Sequence, residues 1–230
     1  MSRSGKVIAE FPSSQQPRID QLQWDKDNDS IAILTASPVV PIWSIRQRQF
    51  QDIELASGKD RATFISWSKT HPVLAIGTDK GSVVFFNRKT NRKIPCISKH
   101  GKKVTIGDWN KEGNLVTGSD DKLLTVSNHQ GDTMHDSFIA KYELHGIKWC
   151  PYKDPAKPKK VCAAICGAKS LLYLKPETQD HFMFNFSANY GKAVDFDWCG
   201  ENKIVIAFSS GIVNMLSTRA NDLGQEISAC

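Results

Sequence analysis

Residues 109–128 read WNKEGNLVTGSDDKLLTVSN: a tryptophan, a short apolar run six residues on (Leu115-Val116), a turn of small and acidic residues, and a second apolar run from Leu123 to Val126. Two short apolar runs joined by a turn make a hairpin. The same order recurs along the chain. Five of the six tryptophans stand at Trp24, Trp67, Trp109, Trp149 and Trp198, separated by 43, 42, 40 and 49 residues. Apolar runs follow at Ile31–Leu34, Val73–Ile76 and Ile204–Ala207, with second runs at Val39–Ile45, Val83–Phe86, Leu171–Leu174 and Ile212–Leu216. A third, weaker run closes most units. The spacing of 49 has a local cause, because residues 153–160 (KDPAKPKK) insert Pro and Lys where no central strand can form. An insertion confined to a turn leaves strand register intact.

Units of about 40 to 45 residues with four short strands are the signature of a WD-type β-propeller. The expected fold class is therefore all-β, a propeller of degenerate repeats forming an open arc of about five blades. The expected blades cover residues 18–58, 59–100, 101–140, 141–190 and 191–230, with residues 1–17 as the last strand of a missing blade. Leu223–Cys230 reads as a run into a sixth blade. Asp121 occupies the position of the aspartate that, in WD repeats, hydrogen-bonds a buried network, whereas Lys80 stands at that position in the second unit. No Gly-His pair precedes any unit, and the six histidines fall mainly in expected loops. These blades should be held chiefly by apolar packing between sheets. The five register tryptophans are expected in that core.

With 40% hydrophobic and 23% charged residues and a mean hydropathy of -0.36, the 230-residue composition is that of a folded chain. No run of about 18 apolar residues suggests a transmembrane helix. The six cysteines form no C-x-x-C pair, which fits free thiols in a reducing compartment. Cys162 and Cys166, with Cys150 nearby, raise the question of zinc. Their spacing within a strand from Val161 to Gly167 instead puts both on one face as small core residues.

Catalytic patterns are missing. The Gly-Lys pairs at Gly58 and Gly101 lack the rest of a P-loop, and there is no G-x-S-x-G, H-E-x-x-H or G-x-G-x-x-G after a strand. No enzyme activity, cofactor or metal is expected. A formal charge of +6 and a pI near 9.0 favour acidic partners, nucleic acid or an anionic membrane. The densest basic run is Arg88, Lys89, Arg92, Lys93, Lys99, Lys102 and Lys103. It reads either as a solvated loop or as a contact patch for an acidic partner segment, phosphates or an anionic membrane surface.

Residues 77–87 (GTDKGSVVFFN), 90–95 (TNRKIP), Lys99-His100, Asp121-Lys122, Thr125–Asn128, Gly131–Thr133 and Leu223–Ile227 carry a more specific likeness. The chain resembles the N-terminal propeller of the large WD-repeat, helical-repeat subunit family of intraflagellar transport complex A. That resemblance implies a non-catalytic scaffold of cilia and flagella, at the ciliary base and on the cytoplasmic side. It would support retrograde transport and ciliary entry of membrane proteins. The implied partners are other complex A subunits, with cargo adaptors as further contacts; an anionic membrane surface is suggested only by the basic run. In that family a second propeller and a helical solenoid follow. Two alternatives stay open: another degenerate WD-repeat scaffold such as a vesicle-coat subunit, and a propeller that binds nucleic acid.

Overall fold

The computed structural model describes residues 18–35, 37–55, 59–96, 99–152 and 160–229. Five four-stranded antiparallel sheets follow one another along the chain. The first holds β1 (Ile19–Trp24), β2 (Ser30–Thr35), β3 (Val39–Ser44) and β4 (Gln49–Glu54). The second holds β5 (Ala62–Trp67), β6 (Val73–Thr78), β7 (Val83–Asn87) and β8 (Arg92–Cys96). The third holds β9 (Val104–Trp109), β10 (Leu115–Ser119), β11 (Leu123–Ser127) and β12 (Phe138–Ile139). The fourth holds β13 (Leu144–Trp149), β14 (Cys162–Cys166), β15 (Ser170–Lys175) and β16 (Asp180–Asn185). The fifth holds β17 (Ala193–Trp198), β18 (Lys203–Phe208), β19 (Val213–Ser217) and β20 (Glu226–Ala229).

Each sheet is a meander in which every strand pairs with the next. The first strands β1, β5, β9, β13 and β17 carry the register tryptophan at their last residue, and β5 packs against both β1 and β9. A register shift marks the start of every first strand, at Ile19/Gln21, Ala62/Phe64, opposite Val104, Leu144/Gly146 and Ala193/Asp195. A bulge repeated at one place adds local twist, which is how a sheet turns from its inner to its outer strand.

The core lies between sheets. One cluster joins Val40 and Ile42 of the first sheet to Ile65, Leu74 and Phe86 of the second. A second joins Phe85 to Trp109 and Leu115, a third joins Val126 to Trp149 and Leu172, and the last joins Tyr173 and Phe184 to Trp198 and Ile206. Interior strands covered by a sheet on each side bury both faces and read as near-continuous apolar runs: β6 and β14 are buried along their whole length, whereas β3, β18 and β19 alternate. The arrangement is an all-β propeller arc of five blades.

One expectation is corrected. Residues 226–229 do not lead into a sixth blade; they are β20, which pairs with β19 through Asn214–Ala229 and Met215–Ser228 and completes the fifth sheet. The chain reverses at Gly224, whose φ of 83° suits glycine, with Gly224 N donating to Ser217 O. The strand expected within residues 1–17 lies outside the described residues, as does most of the insertion at 153–160.

Candidate interaction surfaces

The tryptophans join neighbouring sheets. The indole N–H of Trp109 donates to the carbonyl of Ser66, that of Trp149 to Asp108, and that of Trp198 to Lys148, at 2.9, 2.9 and 3.2 Å. Each acceptor is the residue just before the tryptophan of the preceding sheet. The ends of successive first strands are therefore held side by side. Trp67 departs from the pattern: its backbone N–H donates to Gln23 Oε1 at 3.1 Å, and its indole nitrogen is buried without a hydrogen-bond partner among the described residues. Trp24 corrects the expectation of five core tryptophans. It is 49% exposed, because the cover for such an indole comes from a preceding sheet, and no described residue supplies one.

Asp121 lies in the turn of the third sheet between β10 and β11 and organises it. Its Oδ1 accepts from Ser119 Oγ and from Leu123 N at 2.5 and 2.8 Å, and its Oδ2 accepts from Gly101 N at 2.7 Å. Burial works against its charge, but these three donors hold its carboxyl below the usual range. Beneath it the buried His100 sets Nε2 between Thr117 Oγ1 and Thr125 Oγ1, at 2.9 and 3.2 Å, and the two hydroxyls meet at 2.9 Å. Its Nδ1 stands 3.7 Å from Asp121 Oδ1. Burial pushes the imidazole pKa down, against the pull of Asp121, so the ring is neutral at neutral pH. His100 was missed by a reading that sought Gly-His. Here the order is His100-Gly101, and the signal is a histidine four residues before β9, just ahead of the sheet that carries the aspartate.

The basic run does not form one patch. Arg88, Lys89, Arg92 and Lys93 lie at the β7–β8 turn, while Lys99, Lys102 and Lys103 follow the other end of β8. Five strand residues separate the groups by roughly 16 Å. Arg88 is not a free contact cation, since its guanidinium meets Asp25 at 3.1 Å and Asp29 at 2.9 Å and clamps the first sheet to the second. Lys93 Nζ donates to the Glu54 carbonyl at 3.1 Å and Lys99 Nζ to Thr133 Oγ1 at 2.5 Å. Other charges also serve sheet contacts. Asp108 accepts from Lys69 at 2.8 Å and from Trp149 N at 2.8 Å, and Lys148 lies 3.3 and 3.5 Å from Asp195 and Asp197.

Grooves open between outer strands. One, of about 680 Å³, is lined by Val73, Phe85, Ile94, Arg92, His129 and Asp132. His129 stacks on His71 with ring centroids 4.0 Å apart. Cys162 and Cys166 are buried in the core between the third and fourth sheets, and burial pushes the Cys162 thiol up to about 12. A thiol so far from ionisation is a packing group. Among the described residues no group of three His, Cys, Asp or Glu is placed to hold a metal ion, and no helix is long and apolar enough to cross a membrane.

The family described as WDR19 first beta-propeller matches residues 1–230. The chain belongs to that family. It is 32% identical to human (Homo sapiens) WD repeat-containing protein 19 and 35% identical to the mouse (Mus musculus) protein, in each case over 211 residues covering 90% of this chain and 16% of the relative. It is 25% identical to the Caenorhabditis elegans WD repeat-containing protein dyf-2 over 214 residues, 91% of this chain and 16% of that one. The chain thus spans about one sixth of the length of these relatives. Among solved structures, the RRP9 WD40 repeats superpose with a TM-score of 0.73 over 94% of this chain and 64% of theirs at 13% identity. U3-55K does so at 0.70 over 89% and 62% at 14% identity. That likeness is one of fold. WDR19-type propellers belong to a family of non-catalytic scaffold proteins.

Proposed function

We propose that this propeller acts as a non-catalytic scaffold of intraflagellar transport complex A, supporting retrograde transport and ciliary entry of membrane proteins. The observation that carries the reading is the match of the whole chain to the WDR19 first propeller, together with relatives above 30% identity over nine tenths of it. Its partners are the other complex A subunits and cargo adaptors, at the ciliary base and along the cilium on the cytoplasmic side. Residues 18–58, 59–100, 101–140, 141–190 and 191–230 act as the blades, and Trp67, Trp109, Trp149, Trp198 and Asp121 fix their mutual positions. A rigid disc supplies loops at fixed places, which is what a scaffold needs and a catalyst does not.

The test is co-purification of the tagged chain from ciliated cells. Enrichment of complex A subunits, lost when Trp109→Ala disturbs the second-to-third sheet contact, is expected. A folded chain that enriches none of those subunits contradicts the reading, and steeply salt-dependent capture of RNA instead would favour a nucleic-acid role.

A further inference from the structure

Because the first strands end side by side, the connections divide between two ends of the arc. At one end gather the links from each fourth strand to the next first strand and the turns between second and third strands. At the other gather the turns between first and second and between third and fourth strands. Among the described residues, the first end carries ten Lys and Arg against five Asp and Glu, and the opposite end nine against nine.

The pairing differs as well. At the opposite end Lys26, Arg46, Lys69, Arg88 and Lys160 each meet a carboxylate. At the basic end Arg61, Lys80, Lys103, Lys141, Lys169 and Lys192 are exposed, and none makes an ion pair with a described carboxylate. The carboxylates there are partly turned to the backbone: Asp79 accepts from Arg61 N at 3.0 Å and Asp121 from Gly101 N and Leu123 N. Cations supplied by six separate loops across four sheets make a broad field and not a slot.

Apolar side chains stand in that field. Ile139 is 73% exposed, Tyr142 41% and Val194 64%, and Lys141 Nζ lies 5.3 Å from the centre of the Tyr142 ring. We propose that this end of the propeller docks on an anionic phospholipid membrane surface. An acidic protein segment would use the lysines, but gains nothing from isolated Ile, Val and Tyr side chains spread between them. A bilayer interface uses both, since headgroups attract lysines individually and apolar and tyrosyl side chains enter the headgroup boundary. The point charge of lysine suits scattered headgroups, whereas a bidentate anion site favours arginine. This inference adds a lipid contact to the protein contacts proposed above and stands or falls separately from them.

Vesicle flotation of the chain tests it, with phosphatidylcholine alone and with about a third phosphatidylserine, the anionic lipid of cytoplasmic leaflets. Binding to the anionic vesicles, weakened by salt, is expected. Lys80→Gln/Lys103→Gln/Lys169→Gln should weaken it by about a hundredfold, at the ~1 kcal/mol that each surface cation contributes. Arg48→Glu/Lys111→Glu at the opposite end should leave it nearly unchanged, and Ile139→Ser/Tyr142→Ser should reduce it even at low salt. Circular dichroism of each variant separates lost binding from lost fold. Three results overturn the proposal: no binding of the folded chain to anionic vesicles, equal loss on charge reversal at the opposite end, or capture of poly-glutamate with those vesicles left unbound. The last would assign the face to an acidic protein partner.

Discussion

The indole of Trp109 and the carbonyl of Ser66, 2.9 Å apart, join the third sheet to the second, whereas the matching indole of Trp67 is buried with no partner among the described residues. Two residues at the same place in the repeat thus differ by one hydrogen bond. Trp109→Phe removes one of two hydrogen bonds to a buried carbonyl, which keeps its place in the β5–β6 ladder opposite Ala75, and Trp67→Phe removes an orphaned donor. Both lose ring volume. In urea unfolding, Trp109→Phe is expected to cost about 1–2 kcal/mol more than Trp67→Phe; equal costs would show that the indole bond contributes nothing.

Asn214, fully buried in β19, leaves both its amide oxygen and nitrogen without partners among the described residues. Three residues before the end of the third strand, the second, third and fourth sheets place Val84, Leu124 and Leu172 there. Asn214→Leu should therefore stabilise the chain by about 1 kcal/mol, read as a higher urea midpoint with unchanged slope. A loss of stability would mean that the amide is satisfied by a bound water.

Arg88 and Lys89 are adjacent in the sequence and unlike in the fold. Arg88→Met strands the buried Asp25 and the nearby Asp29 and should destabilise by about 1–3 kcal/mol. Lys89→Met should fall within about 0.5 kcal/mol of wild type, as surface substitutions do. Similar effects in thermal melts of the two variants would refute the clamp.

The His100 pKa is lowered by burial, so on acidification the unfolded chain takes up a proton near pH 6.5 before the folded chain does. The stability conferred by the neutral ring is complete above that pH and is lost as pH falls from 6.5 toward the depressed folded value. The contribution is at most about 1.4 kcal/mol per pH unit. His71, also lowered by burial and by His129, acts in the same direction. Asp121 adds a further loss below its ordinary range, where its lowered carboxyl finally protonates. His100→Gln should be less stable at pH 7 and show a shallower decline between pH 6.5 and 5. An unchanged slope would contradict the buried neutral ring.

Much of this architecture was legible because one residue type marks one structural place. An indole that ends a first strand recurs with the blade, and the continuous apolar runs after it are what strands buried on both faces require. The exposure of Trp24 was not legible, since a tryptophan records its own position and not the sheet that covers it. His100 was hidden by the reversed order of two residues. The basic run from Arg88 to Lys103 misled for a different reason. Neighbours in sequence are carried to opposite ends of β8, while the cations that share a face, such as Lys80, Lys141 and Lys192, come from loops far apart in the chain.

Exchange of the indole N–H protons with solvent, followed by nitrogen-15 NMR, tests the radial register most directly. Trp109, Trp149 and Trp198 should exchange slowly, each held by a carbonyl of the preceding sheet, and Trp24, 49% exposed, should exchange fast. Equal rates for all four, or a protected Trp24 beside an unprotected Trp149, would contradict the sheet-to-sheet order on which the scaffold rests.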